Sequence, residues 1–216
     1  MTWDSVKSLT VKDAVRKGIK QKMFQNIVKR CGRFLIRLDL SFDCKDDDKF
    51  VWDENISNVI AYCTKLRSID LGEFGINFEI IESLKPCLDN IEELRFECRN
   101  QDDEFLTKVF QQLKKLKHVK IVGEYSRLYG FTFLFELPQD RMEHLDLVHT
   151  GVDLNFIYDL SLLKSLYLTE KNVRDETLIG IASFCSELRS FGLSCKYPQF
   201  SLKYVKSFYV LCEIQY

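Results

Sequence analysis

Along this chain one short pattern recurs: an apolar residue, two variable ones, a second apolar residue, one variable one, then a third apolar residue. It occurs as Val6-Leu9-Val11, Leu35-Leu38-Leu40, Leu66-Ile69-Leu71 and Ile91-Leu94-Phe96. It continues as Leu116-Val119-Ile121, Met142-Leu145-Leu147, Leu163-Leu166-Leu168 and Leu188-Phe191-Leu193. The middle residues stand at 9, 38, 69, 94, 119, 145, 166 and 191, so the spacings are 29, 31, 25, 25, 26, 21 and 25. One copy constrains little, because any amphipathic stretch can produce it. Eight copies near a spacing of 26 constrain a great deal: a fixed period means one structural unit, repeated and stacked.

In the second half of each copy, apolar residues two apart share one side of a strand, and the residue between them faces out. The rest of each unit returns the chain to the next strand. Phe105, Leu106, Val109, Phe110 and Leu113 at 3,4 spacing predict a helix over 103–113, with Asp102 as its N-cap. Further helices are expected over 176–185, around Phe24-Ile27-Val28-Cys31 and Ile56-Val59-Ile60-Cys63, and in the apolar segment Ser201 to Tyr216. The 21-residue unit is too short for a full helix and predicts a tighter turn over 152–157. The charged run 43–49 in the 31-residue unit reads as a solvated loop and lacks the ligand order of an EF-hand. The period falls in the leucine-rich range of about 20–29 residues. The expected fold class is therefore α/β: one leucine-rich-repeat solenoid over residues 1–216, about eight repeats, with a curved parallel sheet on its concave side and helices outside.

Composition narrows the function classes. A formal net charge of −1 argues against a nucleic-acid partner. The opening segment has no apolar signal region, and Phe131 to Leu137 is too short to span a bilayer, so neither export nor a membrane is expected. A cytoplasmic or nuclear location is the default. The cysteines form no C-x-x-C pair, and only His118, His144 and His149 offer imidazoles, so no zinc site and no cofactor are expected. The repeat gives several cysteines the simpler role of small buried residues. There is no G-x-S-x-G, phosphate loop or H-E-x-x-H, which points away from an enzyme.

The stretch 172–188, from Asn172-Val173-Arg174-Asp175-Glu176 through Cys185-Ser186-Glu187-Leu188, resembles the cysteine-containing leucine-rich repeats of F-box proteins. Cys63-Thr64-Lys65-Leu66 repeats its second element, and Cys31 and Cys87 stand one residue further from their strands. The resemblance implies repeats that hold a substrate for a ubiquitin ligase. In that family an F-box preceding the repeats docks a Skp-type adaptor. Only five residues precede the first copy here, so that adaptor is expected only if an F-box lies upstream. The chain is then expected to be a fragment of a longer protein or a relative without the box.

The outward strand positions form the expected binding face, with Asp39, Asp70, Glu92, Arg95, Lys117, His118, Lys120, His144, Asp146 and Tyr167 as candidate protein-binding residues. Glu93, Glu143, Ser165, Ser190 and Gly192 also lie on outward positions. A basic centre at Arg95, Lys117, His118 and Lys120 favours an acidic or phosphorylated partner segment. Most aromatics, among them Phe96, Phe105, Phe110, Phe184 and Phe191, are expected in the core. Tyr125, Tyr129, Phe131, Phe133 and Phe135 are less regular and are weighed as an exposed interface patch. Two functions follow: the substrate-recognition part of an F-box-type ligase subunit or a derivative lacking the box, or a stand-alone interaction or inhibitor protein.

Overall fold

The computed structural model describes residues 3–16, 19–41, 56–98, 103–123, 132–169 and 173–194, with the backbone of 213–215. The acidic run 43–49, the cap Asp102, the aromatics Tyr125, Tyr129 and Phe131, and the segment 201–212 lie outside the described residues. The chain divides into two compact units, Met1–Glu97 with Gln112–Lys115, and Cys98–Gln111 with Leu116–Tyr216. Both are α/β, with parallel strands joined through helices or 3-10 turns.

The first unit runs β1 (Ser8–Thr10), α1 (Val11–Arg16), α2 (Gln21–Cys31), β2 (Arg37–Asp39), α3 (Ser57–Ile60), β3 (Ser68–Asp70), α4 (Phe78–Leu84) and β4 (Glu93–Glu97). Its strands pair in chain order, and all pairs are parallel. Leu9, Leu38, Ile69 and Leu94 are register partners. Each therefore sits over the next at the inter-strand spacing of about 4.8 Å. The other apolar positions stack likewise. Leu35, Leu66 and Ile91 form one fully buried column, and Leu40, Leu71 and Phe96 another. Leu9, on the first strand, has a neighbour on one side and is only half-buried.

Helix α2 closes on this core with Phe24, Val28 and Cys31, at the 3,4 spacing that puts them on one stripe. Helix α3, Ser57–Ile60, is a single turn, with Val59 and Ile60 buried. Asn77 caps α4 by accepting from the Ile80 N–H at 2.9 Å, and Ile80, Ile81 and Leu84 point inward.

The second unit runs α5 (Asp103–Phe110), β5 (His118–Val122), β6 (His144–Val148), β7 (Ser165–Thr169), α6 (Asp175–Phe184), β8 (Ser190–Leu193) and β9 (Glu213–Gln215). These strands too are parallel and in chain order. Val119, Leu145, Leu166 and Phe191 are in register, and all are buried. All eight strands expected from the pattern are present in the two units. A 3-10 turn at Leu154–Asp159, opened by Asp153 accepting from the Asn155 N–H, supplies the tight return predicted for the 21-residue unit.

Several expectations need correction. The helix over 103–113 stops at Phe110, although Leu113 is buried, and Phe105 is only half-buried. Phe184 is 56% exposed: the buried stripe of α6 runs Leu178, Ile181, Cys185, which leaves position 184 on the flank against Tyr158. Phe133 is core, against Phe110 with ring centroids 5.0 Å apart, while Phe135 is exposed. Within the segment expected to be helical, Glu213–Gln215 is a strand beside β8. An open strand edge has unpaired N–H and C=O groups, and β9 satisfies those of β8.

Candidate binding face

A backbone detail decides which side chains face out. At one strand start after another, two consecutive N–H groups donate to a single carbonyl of the preceding strand. Arg67 and Ser68 share Ile36, Glu92 and Glu93 share Arg67, Glu143 and His144 share Lys117, and Lys164 and Ser165 share Glu143. Strict alternation is broken at these points, as in a bulge. Neighbours such as Glu143 and His144 can therefore both project away from the core.

In the first unit the outward residues join across strands. Arg37, Ser68 and Glu93 are register partners. Arg37 pairs with Glu93 at 2.8 Å, reaching over β3, and the Ser68 hydroxyl donates to the same carboxylate at 2.7 Å. Arg67 lies 3.5 Å from Glu92, and Arg95 lies 3.0 Å from Asp70. Asp39 and Asp70 also serve the turns that leave their strands: Asp39 accepts from Ser41, and Asp70 accepts from the Gly72 N–H at 2.8 Å. Burial pushes the Asp70 carboxyl above its ordinary value, in spite of Arg95 and the Gly72 bond.

In the second unit Lys164 binds Glu143 at 2.7 Å, Lys117 stands 3.9 Å from the same carboxylate, and Lys120 is 3.7 Å from Asp146. The hydrogen bond from Lys164 holds the Glu143 carboxyl low. His118 and His144, register partners on β5 and β6, meet edge to face with ring centroids 4.2 Å apart. Desolvation, then the proximity of His118, holds the His144 imidazole below its ordinary pKa. His118, Glu143 and His144 bring one ligand atom each to within 4.8 Å of one another, the one such trio among the described residues. Beside them lies an open depression of about 440 Å³ lined by Lys120, Asp146, Ser165, Leu166, Tyr167, Ser190 and Gly192. The Tyr167 ring covers Gly192, where an added Cβ would meet it at 2.4 Å, so this outward position is buried.

Asp39, Asp70, Arg95, His118, Lys120, His144, Asp146 and Tyr167 lie on strands, and Glu92 and Lys117 each stand one residue before one. Arg95, Lys117 and Lys120 each lie near a carboxylate of an adjacent strand instead of forming an uncompensated basic centre. Sequence reasoning did not link Glu143 to the two histidines, although His118 and His144 occupy the same place in consecutive copies of the pattern. No protein-family model matches this chain, and no curated protein matches it.

Proposed function

We propose that this chain is a leucine-rich-repeat protein-binding module, with its partner seated on the polar face of the sheet in the second unit. One observation carries the reading: successive copies of the pattern form successive parallel strands in register, with apolar columns inside and charged or aromatic columns outside. A repeated outward column offers a partner a graded row of side chains rather than one catalytic pocket. The depression around Tyr167 suits a partner side chain, and tyrosine is enriched at the energetic centres of interfaces. Lys120 lines that depression 3.7 Å from Asp146, and an acidic or phosphorylated group of a partner would compete with Asp146 for its ammonium.

The buried thiols of Cys31, Cys63, Cys87 and Cys185 favour the cysteine-containing repeat type. Within that type the module serves as the substrate-recognition part of an F-box-type ubiquitin-ligase subunit, or of a derivative without the box. The second reading is a stand-alone interaction or inhibitor protein.

The test is quantitative affinity capture with the wild type and the double variant Tyr167→Ala, Lys120→Glu. The expected result is a partner set depleted at least about tenfold by the variant, a loss of roughly 1.4 kcal/mol in binding, with the thermal midpoint preserved. Equal capture by both proteins would remove this face as the binding surface. A Skp-type adaptor in the wild-type set supports the ligase-subunit reading, and its absence is the outcome shared by a derivative without the box and a stand-alone protein.

A further inference from the structure

We propose that His118, Glu143 and His144 form a three-donor site for a divalent transition-metal ion of the zinc class, on the outer face of the second unit. The two histidines are register partners on adjacent parallel strands, and their rings are in edge contact. Glu143 joins them because the shared Lys117 carbonyl turns two successive residues outward. The three donor atoms already lie within 4.8 Å of one another. A tetrahedral ion with bonds of about 2.0–2.1 Å holds its nitrogen and oxygen donors roughly 3.4 Å apart. The proposal assigns that difference to rotation of the three side chains, each of which is half-buried.

The donor set fits the chemistry. Imidazole and carboxylate together suit zinc, cobalt, nickel and copper ions, whereas calcium and magnesium want an all-oxygen shell. Metal ligation needs a neutral imidazole and an ionised carboxylate. His118 and His144 supply the first donor type and Glu143 the second, side by side on one face. Lys164 lies 2.7 Å from one carboxylate oxygen of Glu143. The other oxygen can bind the ion while Lys164 orients the group, a common outer-shell role. Lys117, 3.9 Å from that other oxygen, opposes a cation and must swing toward solvent. Three protein donors leave at least one coordination position open on the solvent side, for water or for a donor from another molecule.

The chain has three histidines, and His149 is outside the trio. That makes imidazole NMR a direct readout, unaffected by the cysteines. Titration of the full chain with zinc chloride is expected to shift His118 and His144 together, to saturate at one ion per chain and to leave His149 unmoved. Glu143→Gln and His144→Ala are each expected to raise the midpoint at least about tenfold. The site is overturned if only one of the two imidazoles moves, if His149 moves equally, or if Glu143→Gln leaves the midpoint unchanged. The wild-type titration reads the histidine pair by itself, so a variant that misfolds does not remove the test. Zinc alone is the probe, so failure here leaves the protein-binding proposal standing, and equal partner capture leaves this site standing.

Discussion

At the scale of single residues, Asp70 shows how one side chain is held by opposing demands. Its side chain is 15% exposed, faces Arg95 at 3.0 Å, and accepts from the Gly72 N–H at 2.8 Å. Gly72 is there because its φ of +52° suits glycine, and because a Cβ would come within 2.9 Å of the Ser41 backbone. Burial raises the carboxyl above its ordinary 3.8. The folded state then binds the proton more tightly than the unfolded state. This group's stabilising contribution is present below pH 3.8 and is lost as pH rises through the raised folded value. Asp70→Asn keeps the acceptor for Gly72 and removes the titration. Over that window the thermal midpoint of the wild type should fall relative to Asp70→Asn, as read by calorimetry. A constant difference between the two would contradict the assignment. Asp70→Ala removes the acceptor as well and should cost about 1 kcal/mol more than Asp70→Asn.

At the scale of elements, stability resides in the apolar columns. Leu38 is fully buried between register partners on both sides, whereas Leu9 in the same column is half-buried at the end of the row. Leu38→Ala should cost about 2–5 kcal/mol and Leu9→Ala distinctly less, by urea denaturation. Equal losses would mean that the column does not stack as described. The exposed ion pairs on the outer face, such as Arg67–Glu92, add little by comparison, since pairs of that kind contribute about 0–1 kcal/mol. Helices were legible where the apolar stripe is long, as in α2. They were less legible where the helical piece itself is short: α3 is one turn and Leu154–Asp159 is 3-10. In such short pieces tertiary contacts outweigh intrinsic helix formation.

At the scale of the whole molecule, the cysteines report on folding. Cys31, Cys63, Cys87 and Cys185 are buried free thiols. Burial pushes Cys63 up to about 12, and Cys87 and Cys185 to about 11. The thiolate is the reactive form, so iodoacetamide labelling of these three at pH 8 should run more than about a hundredfold slower in the native chain than in urea. Labelling at the unfolded rate, mapped by mass spectrometry, would show that these thiols are not held in a closed core. Residue order alone carries the eight strands, the inward columns and the buried thiols. Side-chain alternation and the repeat period are local properties of the chain, readable without knowing what packs against what. The cross-strand partners come from the folded arrangement. Arg37 meets Glu93 two strands away, Tyr167 covers Gly192, β9 joins the edge of β8, and Glu143 comes beside His118. Those contacts depend on strand register and on bends in the backbone, which bring together residues some 20 to 60 positions apart, beyond the reach of any local pattern.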